Sequence, residues 1–142
     1  PDPVNLDSIA AWGDASGAAN LYPPLQINAS DLVLPIKAVD AILCINMIHI
    51  APWDATEGLM RNAAILLPHG APLYLYGPYR IGGAHTALSN EAFDNSLRSQ
   101  NETWGVRDLE DVRAEAEKHS LGFIERVEMP SNNQSLIFRK NV

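Results

Sequence analysis

The fold is constrained first by the stretch from Asp40 to Trp53, which reads Asp-Ala-Ile-Leu-Cys-Ile-Asn-Met-Ile-His-Ile-Ala-Pro-Trp. Ala41 to Ile45 form an unbroken apolar run, whereas a strand with one face in water alternates. This strand is therefore expected to be covered on both faces, as in the middle of a parallel sheet. The run turns polar at Asn46 and His49, and Pro52 opens a helix. In open α/β sheets, ligands bind just beyond the carboxyl ends of the strands. Asn46, Met47, Ile48, His49 and Trp53 thus fall where chemistry is expected. The same pattern would arise if Asn46 and His49 only satisfied the backbone of the turn.

Other features narrow the class. The 142 residues suit a single domain, and the net charge of -7 with no Lys/Arg cluster argues against nucleic acid or an anionic membrane as partner. The one cysteine, Cys44, sits inside the apolar run, so a disulfide framework is excluded. No signal peptide or membrane-length apolar segment is present, which fits a cytoplasmic protein. His69 and His85 have no partners at metal-ligand spacing, and no metal site is expected. The sequence opens Pro1-Asp2-Pro3 without methionine, which suggests processing or a piece of something longer.

In chain order, residues 1–5 read as a loop. Asn5 or Asp7 can cap a short helix carrying Leu6, Ile9 and Trp12, stopped by Gly13. Leu25 to Ile27 form a short strand closing on Asn28. After the central strand, Trp53 to Leu67 read as a helix with Ala55, Leu59, Ala63 and Leu66 in one stripe. Ala71 to Tyr76 form a second apolar strand, so this strand-helix-strand unit is expected to be a parallel crossover. A Gly-rich loop through Gly82 and Gly83 leads to a helix over 89–97 with Phe93 and Leu97 on one face. Asp108 can cap a further helix that buries Leu109, Val112 and Ala116 and ends at Gly122. Phe123 to Met129 and Ser135 to Lys140 close the chain as an antiparallel hairpin. The predicted class is α/β, a doubly wound sheet of parallel crossovers with one C-terminal antiparallel hairpin.

The wording of several segments carries a resemblance. Cys44 to Trp53 followed by Ala55-Thr56-Glu57-Gly58-Leu59, then Leu75-Tyr76-Gly77-Pro78-Tyr79, resemble the methyltransferase-like protein 26 family. Ser89-Asn90 with Phe93-Asp94, Trp104 to Glu110, Glu128-Met129-Pro130 with Asn132-Asn133, and Ser8 to Trp12 fit it too. The resemblance spans nearly the whole chain. It implies a Rossmann-like class I fold, S-adenosylmethionine as cofactor, and methyl transfer to a small molecule.

What that family carries first, a strand, a Gly-rich turn, a helix and a second strand, is not in this sequence. A unit of that kind takes roughly 30 residues or more, and nothing before Leu6 supplies one. The expectation is an N-terminally truncated class I sheet. The acidic residue that holds the ribose would fall at or before Asp2, and the position near the adenine is Asn28. Without the missing strands, the edge of Ala41 to Ile45 would lie bare. Three outcomes are open: the 25–27 strand slides in, two copies pair as a homodimer, or the missing piece was lost.

For the chemistry, the resemblance places cofactor over Asp2, Asn28 and the turn Asn46, Met47 and Ile48. His49 is the candidate base; a lone histidine can equally be structural. Trp53, Tyr76, Tyr79 and Trp104 are candidates to line the acceptor pocket, or to cap the core. Arg107, beside Asp108, is a candidate to reach a substrate carboxylate or phosphate. Asn90 and Asp94, one helical turn apart, could look into the same pocket, and Asn132 and Asn133 could overhang it. The second function class is a non-catalytic domain that associates through its bare sheet edge.

Overall fold

The computed structural model describes residues 2–141; Pro1, where the expected first loop begins, lies outside the described residues. Its main sheet has four strands in the order β1-β2-β7-β6. β1 (Ile42–Ile45) and β2 (Pro72–Gly77) run parallel, Ile42 opposite Leu73 and Ile45 opposite Tyr76. Helix α2 (Trp53–Leu66) joins them as expected. β7 (Asn133–Lys140) inserts antiparallel between β2 and β6 (Leu121–Met129), so the closing hairpin forms and its second strand lies against β2.

The core lies where α2 and α4 (Leu109–Lys118) cover this sheet. Met60 and Ala63 from α2 and Val112 and Ala116 from α4 meet Leu73, Leu75, Leu121, Leu136 and Phe138, all fully buried. Each such leucine contributes about 1.5–3 kcal/mol relative to an exposed one. Leu109, Val112 and Ala116 form the expected stripe. The helix ends at His119, with Ser120 at φ 58, rather than at Gly122, which is already in β6.

Several expectations are corrected. β1 is not covered on both faces: Cys44 is buried, but Leu43 and Ile45, which share the other face, are 67% and 59% exposed, because no element among the described residues packs on that face. Residues 25–27 form no strand, and the free edge of β1 has no partner among the described residues. The first helix, α1 (Pro3–Ser16), is capped by Asp2, whose carboxylate accepts the Val4 N–H at 2.9 Å; it runs past Gly13 to a left-handed Gly17. None of α1 is buried and Trp12 is 76% exposed, so the Leu6, Ile9, Trp12 spacing marks no packed face.

What ties this N-terminal region down is the segment 28–31. Arg61 donates to the Ser30 and Asp31 carbonyls, and Asn62 to those of Ala29 and Asp31, at 3.0–3.1 Å. Gly58 permits the close approach, since a methyl group there would overlap the Ala29 carbonyl.

Beyond β2 the chain forms a second, three-stranded sheet unforeseen from sequence: β3 (Tyr79–Ile81), β4 (Ala84–His85) and β5 (Arg107–Asp108), ordered β4-β3-β5. The Gly82-Gly83 loop is its hairpin turn, both glycines at positive φ. Helix α3 (Leu88–Gln100) follows, and its inward face is Asn90, Asp94 and Leu97. Phe93 is instead 41% exposed.

Candidate functional site

The site is built around the end of β1. The Asn46 N–H extends the β1–β2 ladder by donating to the Tyr76 carbonyl at 2.8 Å, and Asn46 then takes a left-handed conformation, φ 59, which asparagine tolerates better than most residues. One 3-10 turn, Met47–His49, follows. It sends neighbouring side chains to different places: Met47 into an open groove, Ile48 into the core at 2% exposure, and His49 into a buried polar cluster.

The groove has a volume of about 690 Å³ and lies between segment 27–39, β1 and α2. Leu34, Ile36, Met47, Leu59 and Trp104 make it apolar, and Asn28 stands in its wall. The Asn28 Oδ1 accepts the Ser30 N–H at 3.1 Å, and its Nδ2 has no partner among the described residues. Trp104, expected on the acceptor side, is on this side instead.

The cluster lies beyond the carboxyl end of β2. His49 has no exposed surface, packs edge-to-face on Tyr79 (5.1 Å between centroids), and neither ring nitrogen has a hydrogen-bond partner among the described residues. Gly77 makes room for it: at φ 155, any side chain would run into His49 Nε2 and the Asn46 amide. Burial pushes the His49 pKa down to about 4, the Arg107 charge adds to this, and the Gly105 backbone and Asp94 oppose it. His49 is neutral near pH 7.

Asp94 organises the far wall. Its carboxylate accepts the Val106 N–H at 2.8 Å and Arg98 Nε at 3.1 Å, and its other oxygen lies 3.4 Å from His85 Nε2. Asn90 donates to Thr86 and to the Asn132 carbonyl, while the Asn132 amide donates to Ser89, so the 130–133 turn is clasped to the start of α3. The Asn133 amide donates to the Pro130 carbonyl at 3.4 Å, within the turn.

Five of the nine buried side-chain polar atoms without a partner among the described residues are on His49, Tyr79, His85 and Gln134. Gln134 faces Gly77 across β2–β7 and is 4% exposed. Neither His85 nor Gln134 was expected. In the sequence His85 has no partner at metal-ligand spacing to single it out, and Gln134 falls at the start of a strand, although its place in the polar run Asn132 to Ser135 is a usable signal. No group of three or more His, Cys, Asp or Glu among the described residues is placed to hold a metal ion.

Other expectations for the site are revised. Tyr79 lines no open pocket: it has no exposure, and burial raises its hydroxyl pKa far above the ordinary value. Arg107 does not reach for a ligand with most of its donors. Its Nε and Nη2 hold the carbonyls of Ile48 (3.0 Å), Ala51 (2.6 Å) and Thr103 (2.9 Å), and its guanidinium covers the Trp53 ring at 5.7 Å. Arg107 and Trp53 therefore strap the turn in place. Ile48 offers a ligand only its neighbourhood, since its side chain is core. Asp2 is the cap of α1, and Tyr76 stands half-buried near the end of β2.

Over residues 1–140 the sequence matches the family described as "Protein of unknown function (DUF938)". The chain belongs to this family. Its architecture is that of solved methyltransferases. It superposes on a putative O-methyltransferase from Nostoc punctiforme with TM-score 0.81 at 14% identity, covering 95% of this chain and 42% of that one. A putative methyltransferase from Bacillus halodurans matches with TM-score 0.75 at 10% identity, over 99% and 80%. Human N-acetylserotonin methyltransferase, solved in complex with S-adenosylmethionine, matches with TM-score 0.67 at 12% identity, over 83% and 33%. The DUF938 chain thus has the Rossmann-like class I methyltransferase fold and spans less than half the length of the Nostoc and human proteins. No helix among the described residues is long and apolar enough to cross a membrane.

Proposed function

We propose that this DUF938 chain is part of an S-adenosylmethionine-dependent methyltransferase acting on a small molecule. The observation that carries the reading is the division made by the 46–49 turn: an apolar groove on one side, and a buried cluster with unfilled hydrogen-bonding atoms on the other. The cluster lies at the carboxyl ends of the parallel strands, and the groove runs along β1 and α2 to reach that end at Met47 and Trp104, where this fold class takes ligands. The S-adenosylmethionine in the human neighbour's structure supports it, as does the motif resemblance to methyltransferase-like protein 26.

The residues present fit an adenine-bearing cofactor in the groove. Met47 and Trp104 offer apolar and aromatic surface, and the free Nδ2 of Asn28 a donor for a ring nitrogen. When bound, the cofactor supplies an electrophilic methyl group. The acceptor side belongs to His49, Tyr76, Asn90, Asp94 and Gln134. A neutral His49 is in the form that can take an acceptor proton, and the Gln134 oxygen can hold a donor that orients the acceptor.

Calorimetric titration of the protein with S-adenosylhomocysteine tests this. Saturable binding, weakened in Met47→Glu, is expected; a folded protein giving no saturable heat overturns it. A second reading, a homodimer through β1, rests on its free edge and the exposed Leu43 and Ile45. A monomeric mass for the same sample would remove it.

A further inference from the structure

A second cavity, of about 450 Å³, opens between α3, β5 and α4. Four of the chain's ten Lys and Arg residues line it, Arg80, Arg98, Arg107 and Lys118, although the chain as a whole carries a net charge of -7. Two of these cations are matched inside the cleft: Arg80 by Asp108, and Lys118 by Glu115 at 2.6 Å. The other two are not. Arg98 is held through its Nε by Asp94, which is not part of the cleft wall, and its two Nη atoms have no acceptor among the described residues. Arg107 is held by carbonyl oxygens, which orient a guanidinium without neutralising it, and it has no carboxylate partner among the described residues. Its Nη1 is likewise free.

We infer that this cleft binds a small oxyanion, a carboxylate or phosphate group, through the free guanidinium nitrogens of Arg98 and Arg107, with Arg80 beside them. Guanidinium forks match the geometry of such groups and bind them in pairs of hydrogen bonds. Three guanidiniums share this partly buried cleft, two of them paired with carboxylates, and burial together with Arg98 and Arg80 pulls the Arg107 pKa down against the opposing pull of Asp94. An anion would remove that repulsion. Asp111, unlike Asp108 and Glu115, forms no ion pair among the described residues. It is a repulsive element for a doubly charged ligand, and Trp53 supplies a flat wall. Neither the groove nor the methyl-transfer reading is needed for this site.

Arginine Nε–Hε signals of the 15N-labelled protein test the inference, titrated separately with sodium phosphate, sodium acetate and sodium chloride at matched ionic strength. Saturable shifts at Arg98 and Arg107 with phosphate alone assign a phosphate group; shifts with phosphate and acetate, or with acetate alone, assign a carboxylate-compatible site. Equal, unsaturable shifts in all three salts, or saturable shifts confined to other arginines, overturn it. Asp111→Asn changes an exposed residue and leaves the core intact. It is expected to tighten binding by about two- to fivefold, the effect of one solvent-screened charge, and an unchanged midpoint counts against the site. Arg98→Gln is expected to weaken binding by roughly tenfold or more, as for loss of a charge-assisted hydrogen bond.

Discussion

The groove that receives Met47 and the cluster that receives His49 lie on either side of one turn, yet they are built in opposite ways. The groove is open and apolar, and one wall is an irregular segment fastened by Gly58, Arg61 and Asn62. The cluster is closed, is walled by regular elements, and buries polar atoms without partners. An unpaired buried polar group costs about 1–3 kcal/mol, whereas an apolar groove carries no such penalty. The difference teaches where affinity and discrimination come from. The groove can hold a flat ring by area alone, while the cluster can favour only a molecule that supplies the missing hydrogen bonds.

Three experiments break or sharpen this contrast. The largest effect belongs to the cluster. Because the folded His49 pKa is lowered to about 4 from an ordinary value of 6.5, the unfolded chain takes up the proton first. His49's share of stability is full above pH 6.5 and falls as pH drops from 6.5 to 4, by up to about 3 kcal/mol. Denaturant unfolding at pH 7.5 and 4.5 measures it, and His49→Phe should flatten that slope; an unchanged slope would mean His49 is charged or solvated. Next comes the groove. Gly58→Ala forces segment 28–31 off α2, costing about 1–3 kcal/mol for the steric conflict, against about 1 kcal/mol gained in helix propensity. Faster amide exchange at Ala29 to Asp31, with unchanged exchange in β2 and β7, is expected; a protected segment would refute the wall's dependence on Gly58. The smallest is Tyr79→Phe, which removes a buried, unpartnered hydroxyl and should raise stability by about 1 kcal/mol, the lower end of that cost. A loss of stability instead would reveal a bound water or partner at the Tyr79 Oη.

Much of the body could be read from sequence because its rules were local. Ala63, Leu66, Val112 and Ala116 repeat at helical spacing and are buried, and the Pro130 to Asn133 turn forces Phe123–Met129 and Ser135–Lys140 to pair. The Ala41 to Ile45 run misleads because apolar composition says what a strand tolerates, not what packs on it: Leu43 and Ile45 share a face of β1 that no element among the described residues covers. The β3–β5 strands are two or three residues long, too short for any period to show. In α3 the apolar-stripe rule pointed to Phe93, while the buried face is Asn90 and Asp94, since that helix packs against the polar cluster rather than the core. Hydrophobic periodicity fails at this helix for the same reason that the region is a candidate site. Asn46, Met47 and His49 were placed by the strand-end rule; His85 and Gln134 gather there only through tertiary pairing.

The Arg107 strap has a mechanical consequence. One planar guanidinium pins Ile48, Ala51 and Thr103 at once, and Gly105 adds a further tie to the His49 carbonyl at 2.9 Å. The 46–52 turn and the 101–107 loop are thus held together by three hydrogen bonds, from Arg107 to Ile48 and Ala51 and from Gly105 to His49, with Met47 and Trp104 on the groove side. Sliding one segment past the other would break these bonds together, so the register between them is fixed by side chain and backbone at once.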